Sequence, residues 1–162
     1  RNKISTECSD MVQTIDKTDR ALLRLLQQDA SQAVAALAEQ LNLSKSACWR
    51  RLQRLEQDGV IQRTIVVLDP EKLGLNLTVF IRVRTREHNA DWSRQFRDNV
   101  ERIDGVTEVY RMGGDIDYLI KAVVEDMPAY DRLYQELIAV DLFDVTASFV
   151  MEEIKQRTAL PI

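Results

Sequence analysis

The densest cluster of cations in this 162-residue chain lies between residues 44 and 63. Five basic residues there face only two acidic ones, although the whole chain is acidic, with a formal net charge of −4. A locally basic segment in an acidic protein predicts a polyanion partner for that segment alone. A solvated helix face would carry the same charges, and charge alone favours that plainer interpretation. The basic residues are Lys45, Arg50, Arg51, Arg54 and Arg63.

A second group of residues suited to binding surrounds Gly113 and Gly114. Asp115 and Asp117 follow at alternate positions, so both carboxylates point to the same face of an extended chain. A carboxylate beside exposed backbone amides can hold both ends of a zwitterion such as a free amino acid. A tight hairpin turn is the simpler interpretation of the two glycines, because glycine tolerates positive φ, and spacing alone favours it. Three residues could form an apolar wall for such a ligand, with core packing as the default for each: Tyr118, Met127 and Phe149.

The remaining composition argues against several other kinds of site. Cys8 and Cys48 lie far apart and neither belongs to a C-x-x-C pair, so no zinc or redox framework is predicted. Because His88 is the only histidine, histidine-centred metal sites and Ser-His-Asp or Cys-His catalysis are disfavoured. No apolar run approaches the roughly 20 residues of a membrane span, and we expect a cytoplasmic protein without a metal or cofactor.

Three stripes of apolar residues at helical spacing organise the part of the chain that holds the basic cluster. The second and third stripes are separated only by Asn42-Leu43-Ser44, so two short helices must cross at a steep angle, as in a helix-turn-helix. Ser31 and Ser44 are available as N-caps, and Gly59 as the C-terminal stop. The stripes are Ile15, Leu22, Leu25 and Leu26; Val34, Leu37, Ala38 and Leu41; and Cys48, Leu52 and Leu55.

The second helix of a helix-turn-helix enters the DNA major groove, with its N-terminal residues against base edges. Arginine suits bidentate contact with guanine, and the helix start suits phosphate, because free backbone N–H groups point there. We expect Cys48 to be a small core residue, and for Trp49 packing is favoured over base contact. The DNA-binding candidates are Ser44, Lys45, Ser46, Trp49, Arg50, Arg51, Gln53 and Arg54.

After Gly59 the pattern changes to that of an α+β domain. Residues 60–68 predict a strand ended by Asp69-Pro70, and then strand, helix, hairpin of two strands, helix and strand. This order is βαββαβ, a ferredoxin-like antiparallel sheet with both helices on one face and a last strand at 145–155. The predicted organisation is a flexible arm at 1–14, a winged-helix-like helix-turn-helix domain at 15–60, a linker strand and turn at 61–73, and the βαββαβ domain at 74–162.

Four motifs make the chain resemble one known family. They are DKTDR at residues 16–20, CWRRLQRLEQDGVI at 48–61, GDIDYL at 114–119 and FVMEEIK at 149–155. Their order and spacing are similar to those of the leucine-responsive regulator/AsnC family of transcription regulators, and the resemblance runs from Ile15 to Ile162. Two residues depart from the family pattern: Lys45 stands where relatives often have proline or threonine, and Ala47 stands where proline is common.

The resemblance implies a sequence-specific regulator that binds double-stranded DNA, controls amino-acid metabolism genes and responds to a small amino-acid effector. Family members pair sheet to sheet into homodimers and commonly assemble into octamers, with the effector bound at the contact between dimers. By this carry-over the effector lies near the loop that spans residues 112–117. The effector-binding candidates are Met112, Gly113, Gly114, Asp115, Asp117 and Tyr118, followed by Met127, Ser148 and Phe149.

Two other functions stay open on the sequence alone. One is a small-molecule-metabolising enzyme with a ferredoxin-like domain, against which the lack of a nucleophile–base pair or metal cluster argues. The other is an architectural DNA-binding protein without a ligand, whose Gly113-Gly114 turn would look the same. Steep loss of affinity with rising salt separates a DNA binder from the enzyme.

Overall fold

The computed structural model describes residues 14–87, 89–140, 142–156 and 158–162. The arm predicted at 1–14 therefore lies outside the described residues except for Thr14. The chain divides into two compact units. The first comprises the described residues up to Val66 together with Lys155–Ile162, and the second comprises Val67–Ile154. In the described part of the chain, no helix is long and apolar enough to cross a membrane.

The first unit is built from three helices: α1 at Lys17–Gln28, α2 at Val34–Gln40 and α3 at Lys45–Gln57. The connection between α2 and α3 contains Asn42 at φ 52, a left-handed conformation that asparagine tolerates and that turns the chain sharply. The predicted helix-turn-helix is therefore confirmed. Its core takes residues from all three predicted stripes: Leu22, Leu37, Ala38, Cys48, Leu52 and Leu55.

The two helices of the helix-turn-helix begin with different caps. Ser44 caps α3 as predicted, because its hydroxyl accepts a hydrogen bond from the backbone N–H of Ala47 at 3.2 Å. The prediction that Ser31 caps α2 is wrong: the N-cap is Ala33, which makes no side-chain bond to the helix. Ser31 lies too early in the chain, and both its backbone N–H and its hydroxyl donate to the carboxylate of Asp29.

The segment Lys155–Ile162 returns to the first unit and contacts α1. The side-chain amide of Gln27 donates to the carbonyl of Leu160 at 3.4 Å and accepts from the N–H of Leu160 at 2.5 Å. The Nε of Arg24 donates to the carbonyl of Ile162. The first unit is therefore assembled from two stretches of sequence that are separated by the whole of the second unit.

The linker strand predicted within residues 60–68 is not formed. Residues 62–69 have no regular secondary structure, and the apolar side chains of 65–68 are exposed, Val66 at 82%. β-branched residues favour an extended backbone, but a strand also needs a neighbour to complete its hydrogen-bond ladder. The sheet formed by the described residues has four strands, and none of them pairs with this segment.

The second unit has the predicted order of elements. They are β1 at Leu77–Arg84, α4 at Ala90–Val100, β2 at Val106–Arg111, β3 at Tyr118–Val124, α5 at Met127–Leu137 and β4 at Asp144–Phe149. The strands pair antiparallel in the order β2-β3-β1-β4, which is the ferredoxin-like arrangement. The last strand is shorter than the predicted 145–155, because its pairing with β1 ends at Phe149.

One face of this sheet is buried against both helices, as predicted. Val79, Ile81 and Val83 of β1 are fully buried, and they share a core with Phe96 of α4 and Leu137 of α5. The alternate residues of β1 point to the opposite face, which no described helix covers. The second unit therefore presents an open sheet face.

Candidate nucleic-acid interface and ligand site

Four side chains converge on the outer face of α3. Ser46, Trp49, Arg50 and Gln53 are spaced i, i+3, i+4 and i+7, so they form one stripe along the helix. The first three are exposed and Gln53 is half-buried, whereas Cys48 is fully buried on the opposite side. A helix that enters a DNA groove needs such a projecting polar stripe.

Asp19 of α1 is completely buried and binds two arginines of α3. Its Oδ1 accepts a hydrogen bond from Nη1 of Arg51 at 2.7 Å, and its Oδ2 accepts one from Nη2 of Arg54 at 2.6 Å. Asp16 accepts from the same Nη1 of Arg51 at 2.7 Å. These contacts fix how α3 packs against the start of α1, because a buried carboxylate needs its cations.

Asp16 and Asp19 also cap α1 reciprocally. The N–H of Asp19 donates to Asp16 Oδ1 at 2.7 Å, and the N–H of Asp16 donates to Asp19 Oδ2 at 3.1 Å. The hydrogen bond from Asp19, followed by that from Arg51, holds the pKa of Asp16 below its ordinary value. Hydrogen bonds to Asp16 and then Asp19 raise the pKa of Arg51. Asp16 and Arg51 are therefore both charged at neutral pH.

The structure separates the three arginines of α3 that the sequence predicts to bind DNA. Arg51 and Arg54 lie on the α1 side of the helix, where their guanidinium groups bind Asp19. Arg50 is exposed and forms no ion pair with the described residues. Arg50 is thus the arginine of α3 whose guanidinium group has no ion-pair partner among the described residues, whereas Arg51 and Arg54 bind α1 through Asp19.

The remaining candidates of the first unit surround this stripe. Lys45 is exposed in the first turn of α3, where backbone N–H groups are open to an anion. The Ser44 hydroxyl lies 3.2 Å from that of Ser46, and the side-chain amide of Gln53 donates to Glu56 at 3.2 Å. All of these side chains are at the surface or close to it.

Trp49 contradicts the sequence-based preference for packing. Its side chain is 52% exposed and does not belong to the core of the first unit. The packing interpretation is wrong because Cys48 and Leu52 already occupy the core face of α3, and Trp49 lies about 100° further around the helix from Cys48. Trp49 instead joins the outer stripe.

Sequence reasoning missed the role of Asp19, although one signal could have revealed it. Ile15, Asp19, Leu22 and Leu26 are spaced i, i+4, i+7 and i+11, so the carboxylate lies on the apolar face of α1. A carboxylate at such a position is buried only if a cation meets it. The sequence offered Arg51 and Arg54 for this purpose, one helical turn apart.

In the second unit, Asp117 holds the Gly-Gly turn at 113–114. Its carbonyl accepts from the N–H of Met112 at 2.8 Å, and its own N–H donates to the carbonyl of Val83 at 3.0 Å. Its Oδ2 accepts from the backbone N–H of Thr85 at 2.9 Å. Asp117 therefore ties the turn to the end of β1, and at least one of its carboxylate oxygens is used within the fold.

The two glycines of the turn have different reasons to be glycine. Gly114 has φ +118, a conformation that residues with a side chain rarely adopt. Gly113 has no such φ, and a Cβ added there would meet nothing within 4 Å. Folding explains Gly114 but not Gly113. A bare backbone at Gly113 suits a molecule that approaches the turn closely.

A small cavity of about 180 Å³ lies beside this turn, and its strand residues belong to the open face of the sheet. Arg82 and Arg84 of β1 stand opposite Thr146 and Asp144 of β4 in the strand register, and Asp115 lines the cavity as well. Two guanidinium groups and two carboxylates suit a zwitterion, whose carboxylate binds arginine and whose ammonium group binds aspartate. Sequence analysis found Asp115 but missed the others, which only strand pairing brings together.

The predicted effector-binding residues do not form one site within the chain. Asp115 and the turn precede Tyr118, the first residue of β3, whereas Met127 follows Val124 at the other end of that strand. Phe149 ends β4 at the same far end of the sheet. The length of β3 separates the two groups by about 20 Å, at roughly 3.4 Å per residue. A single amino acid cannot touch both groups in one chain.

Near the turn, Tyr118 is mainly a core residue. It is 7% exposed, and its ring lies 4.4 Å from that of Phe96 and 5.9 Å from that of Trp92 between centroids. It also lines a cavity of about 430 Å³ between α4 and β2. Ser148 is exposed on the open face, opposite Phe80 in the strand register. Neither residue lines the small cavity beside the turn.

At the far end, Met127 and Phe149 belong to an exposed apolar patch. Met127 is 53% exposed at the start of α5, one turn before Tyr130. The ring of Phe149 meets that of Tyr130 edge to face at 5.1 Å, and Phe149 itself is 37% exposed. The patch, defined as Met127, Tyr130 and Phe149, can cover the apolar side chain of a ligand or of another copy.

Comparison with known proteins gives a consistent result for the two units. Residues 15–62 match the family described as a winged helix-turn-helix DNA-binding domain. Residues 78–160 match the family described as the Lrp/AsnC ligand binding domain. The two matches together account for most of the chain.

Individual relatives match over nearly their whole length. The chain is 47% identical over 153 residues to the glutamate uptake regulatory protein of Zymomonas mobilis, covering 94% of this chain and 93% of the relative. It is 46% identical over 150 residues to the DNA-binding transcriptional activator DecR of Escherichia coli, covering 91% and 99%. The solved structure of a Neisseria meningitidis transcriptional regulator in complex with L-methionine has a TM-score of 0.85 and 35% identity, covering 91% of this chain and 97% of that one.

Proposed function

The chain belongs to the Lrp/AsnC family of transcription regulators, and we propose that it reads DNA with the outer stripe of α3 and responds to an amino acid bound by its second unit. The observation that carries the proposal is the stripe itself: exposed hydrogen-bonding side chains on a helix that buried Asp19 holds in place. Its relatives are transcriptional regulators, so the enzyme alternative is set aside.

DNA binding would use the residues of α3 in two ways. Arg50 would contact a guanine edge with two hydrogen bonds, and Gln53 or Ser46 would meet neighbouring bases in the major groove. Lys45 and the open N–H groups at the start of α3 would bind phosphate, which positions the helix without reading sequence. Arg51 and Arg54 would contribute indirectly, by holding α3 against Asp19.

Self-association would supply a second copy of α3 for a second half-site. The open face of the sheet carries half-buried apolar side chains, including Phe80, Leu119 and Val123, which pairing with another sheet would cover. A homodimer formed sheet to sheet is therefore our proposal, with further assembly of dimers into an octamer or another multimer. Because its relatives are bacterial DNA-binding regulators, we propose a cytoplasmic location.

The amino-acid site would be completed by two copies of the chain. The turn at 113–115 of one copy and the patch of Met127, Tyr130 and Phe149 of another would together supply charged groups and an apolar wall. The separation of about 20 Å along β3 supports this division, because one copy cannot bring both to the same ligand. The complex of the Neisseria meningitidis relative with L-methionine supports an amino acid as the class of ligand.

The DNA-binding proposal is tested by measuring the affinity of Arg50→Ala for a duplex selected by the wild-type protein from a randomised library. We expect a loss of about 1–3 kcal/mol in specific binding free energy, because a bidentate base contact is removed. Fluorescence anisotropy at several salt concentrations measures both affinity and the number of phosphate contacts.

Arg94→Ala serves as the control, since Arg94 is an exposed arginine of α4 with only a 3.9 Å ion pair to Asp91. Its affinity for DNA should equal that of the wild type. A loss in Arg50→Ala that is the same for every DNA sequence would make Arg50 a phosphate contact and would contradict its role in base recognition.

The effector proposal is tested by thermal shift and light scattering with each of the twenty amino acids. We expect one or a few of them to raise the melting temperature and to change the mass of the assembly, because a ligand that binds one state shifts the equilibrium toward it. Asp115→Ala should remove this response and leave basal DNA binding intact.

Mixing two variants tests whether copies share the site. Asp115→Ala chains and Phe149→Ala chains should each fail to respond alone, whereas a mixture should respond in part, because some contacts then combine an intact turn with an intact patch. A mixture that stays silent would contradict a shared site. No response of the wild type to any amino acid would overturn the effector proposal and leave DNA binding untouched.

A further inference from the structure

Trp49 is an aromatic residue that lies outside the core formed by the described residues of the first unit. It is the only aromatic residue in residues 1–66 and 155–162. Aliphatic side chains and Cys48 complete the core without it, and 52% of its surface is exposed. Trp92 of the second unit shows the alternative, since it is 6% exposed and stacks on Phe96 at 5.2 Å.

The neighbours of Trp49 on α3 are hydrogen-bonding residues. Ser46 lies one turn before it, Arg50 follows it directly, and Gln53 lies one turn after it. Trp49 is therefore the apolar member of a polar stripe. Its large indole would remove much apolar surface from water if a partner covered it.

The DNA major groove presents one apolar group on its base edges, the C5-methyl group of thymine. An indole ring has the size and flatness to pack against one or two such methyl groups. Guanine, by contrast, offers two acceptors that suit the neighbouring Arg50. The two neighbouring side chains therefore suit different bases: Trp49 suits thymine and Arg50 suits guanine.

We propose that Trp49 is a specificity-determining residue that selects thymine, by packing its indole against C5-methyl groups in the major groove. This inference rests on the proposed function, because it assumes that α3 enters the major groove. Proteins that bind the minor groove can instead insert an apolar side chain between base steps. Trp49 lies within an α-helix, and an α-helix fits the major groove, so we favour contact with thymine methyl groups.

The test removes the methyl groups from the DNA and the indole from the protein. The probe is the duplex that wild-type protein selects from a randomised library, with each thymine replaced singly by uracil, which lacks only the C5-methyl group. Fluorescence anisotropy then compares the wild type with Trp49→Ala. The wild type should lose about fourfold in affinity at one or two positions of each half-site, the value of one buried methyl group.

Trp49→Ala should bind the thymine duplex about tenfold more weakly than the wild type does. The variant should also bind the thymine and uracil duplexes with the same affinity as each other. Its melting temperature should equal that of the wild type, because Trp49 is exposed and outside the core. Lys45→Ala is the matched control on the same helix. It should weaken binding to thymine and uracil duplexes by the same factor, as a phosphate contact does.

Either of two results would overturn the inference: a wild-type protein indifferent to uracil at every position, or a Trp49→Ala variant that keeps the wild-type penalty for uracil. Failure of the proposed function looks different. In that case the library yields no preferred sequence and Arg50→Ala binds as the wild type does, and the role of Trp49 is overturned with it.

Discussion

The two candidate surfaces of the molecule are assembled in opposite ways. The candidate DNA-binding stripe of α3 comes from residues three and four apart on one helix, so the helix alone brings Ser46, Arg50 and Gln53 together. The candidate ligand-binding residues come from a turn, two strands and a helix start, and the length of β3 separates the two groups by about 20 Å. The stripe on α3 is complete in one chain, whereas the proposed amino-acid site would need residues from a second copy.

The surfaces also differ in what holds them. The stripe of α3 depends on a charge cluster on the other side of the helix, where Asp19 binds Arg51 and Arg54. The turn at 113–114 depends on backbone geometry and on one carboxylate, that of Asp117. Substitutions in the charge cluster or in the turn test whether the stability of one surface depends on the other.

The largest effect is expected for Asp19→Ala. The change leaves Arg51 and Arg54 without their shared carboxylate, and it should lower the free energy of unfolding of the first unit by about 3 kcal/mol. Water reaches both guanidinium groups, which are partly exposed, so the loss is at the lower end of that for a buried ion pair. Hydrogen exchange measured by mass spectrometry reports on each unit separately.

The control for this variant is Glu39→Ala, which removes an exposed carboxylate of α2 and should change stability by no more than about 0.5 kcal/mol. Equal loss of protection in both units of Asp19→Ala would contradict the independence of the two surfaces. Unchanged protection of the first unit would contradict the role of the charge cluster.

A smaller effect is expected for Gly114→Ala. An alanine at φ +118 is strained, so the free energy of unfolding of the second unit should fall by about 1–2 kcal/mol. Gly113→Ala should be nearly neutral for stability, within about 0.5 kcal/mol, yet it should weaken the response to the amino-acid effector. Chemical denaturation and effector titration measure the two quantities. A Gly113→Ala variant that unfolds as easily as Gly114→Ala would show that the fold needs both glycines.

The smallest effect is expected from pH. The pKa of Asp16 is lowered in the folded first unit by the N–H of Asp19 and by Arg51. The pKa of Glu108 is lowered in the second unit by the Tyr110 hydroxyl and then by Lys121. A lowered pKa contributes stability above the pKa of the unfolded chain, and this contribution is lost as the pH falls through the folded value. Both units should therefore lose stability below about pH 4.

Two conservative variants assign this acid sensitivity. Asp16→Asn keeps an N-cap for α1 but cannot ionise, so it should flatten the pH dependence of the first unit only. Glu108→Gln should flatten that of the second unit only. Thermal melts from pH 7 down to about pH 3 measure both. A variant that flattened both transitions would show that the charges of the two units are coupled.

Features that depend on neighbouring residues could be predicted from the sequence, whereas features that depend on distant residues could not. The three helical stripes, the Ser44 cap and the βαββαβ order depend on local periodicity and turn residues, and the structure confirms them. The pairing of Arg51 and Arg54 with Asp19 joins residues more than 30 positions apart, so the helix pattern alone could not assign it. The cavity formed by Arg82, Arg84 and Asp144 required the strand register.

At the linker, by contrast, the sequence predicted an element that does not form. Its β-branched residues at 60–68 satisfy the local pattern of a strand, yet the described chain offers them no neighbouring strand. Trp49 is similar, because its type favours burial while its position on α3 places it outside the core. In both cases the residue type indicated the local preference correctly. The sequence did not show which other part of the structure, if any, would lie against the residue.

Because the segment Lys155–Ile162 returns to α1, the first unit cannot complete its folding until the end of the chain has been synthesised. Residues between Val66 and Leu160 leave the ribosome before Leu160 can reach Gln27, and at about 5–20 residues per second this takes roughly 5–20 s. Throughout that interval the nascent helix-turn-helix exists without its last contacts. The unit that is translated first is thus the one whose hydrogen bonding is finished last.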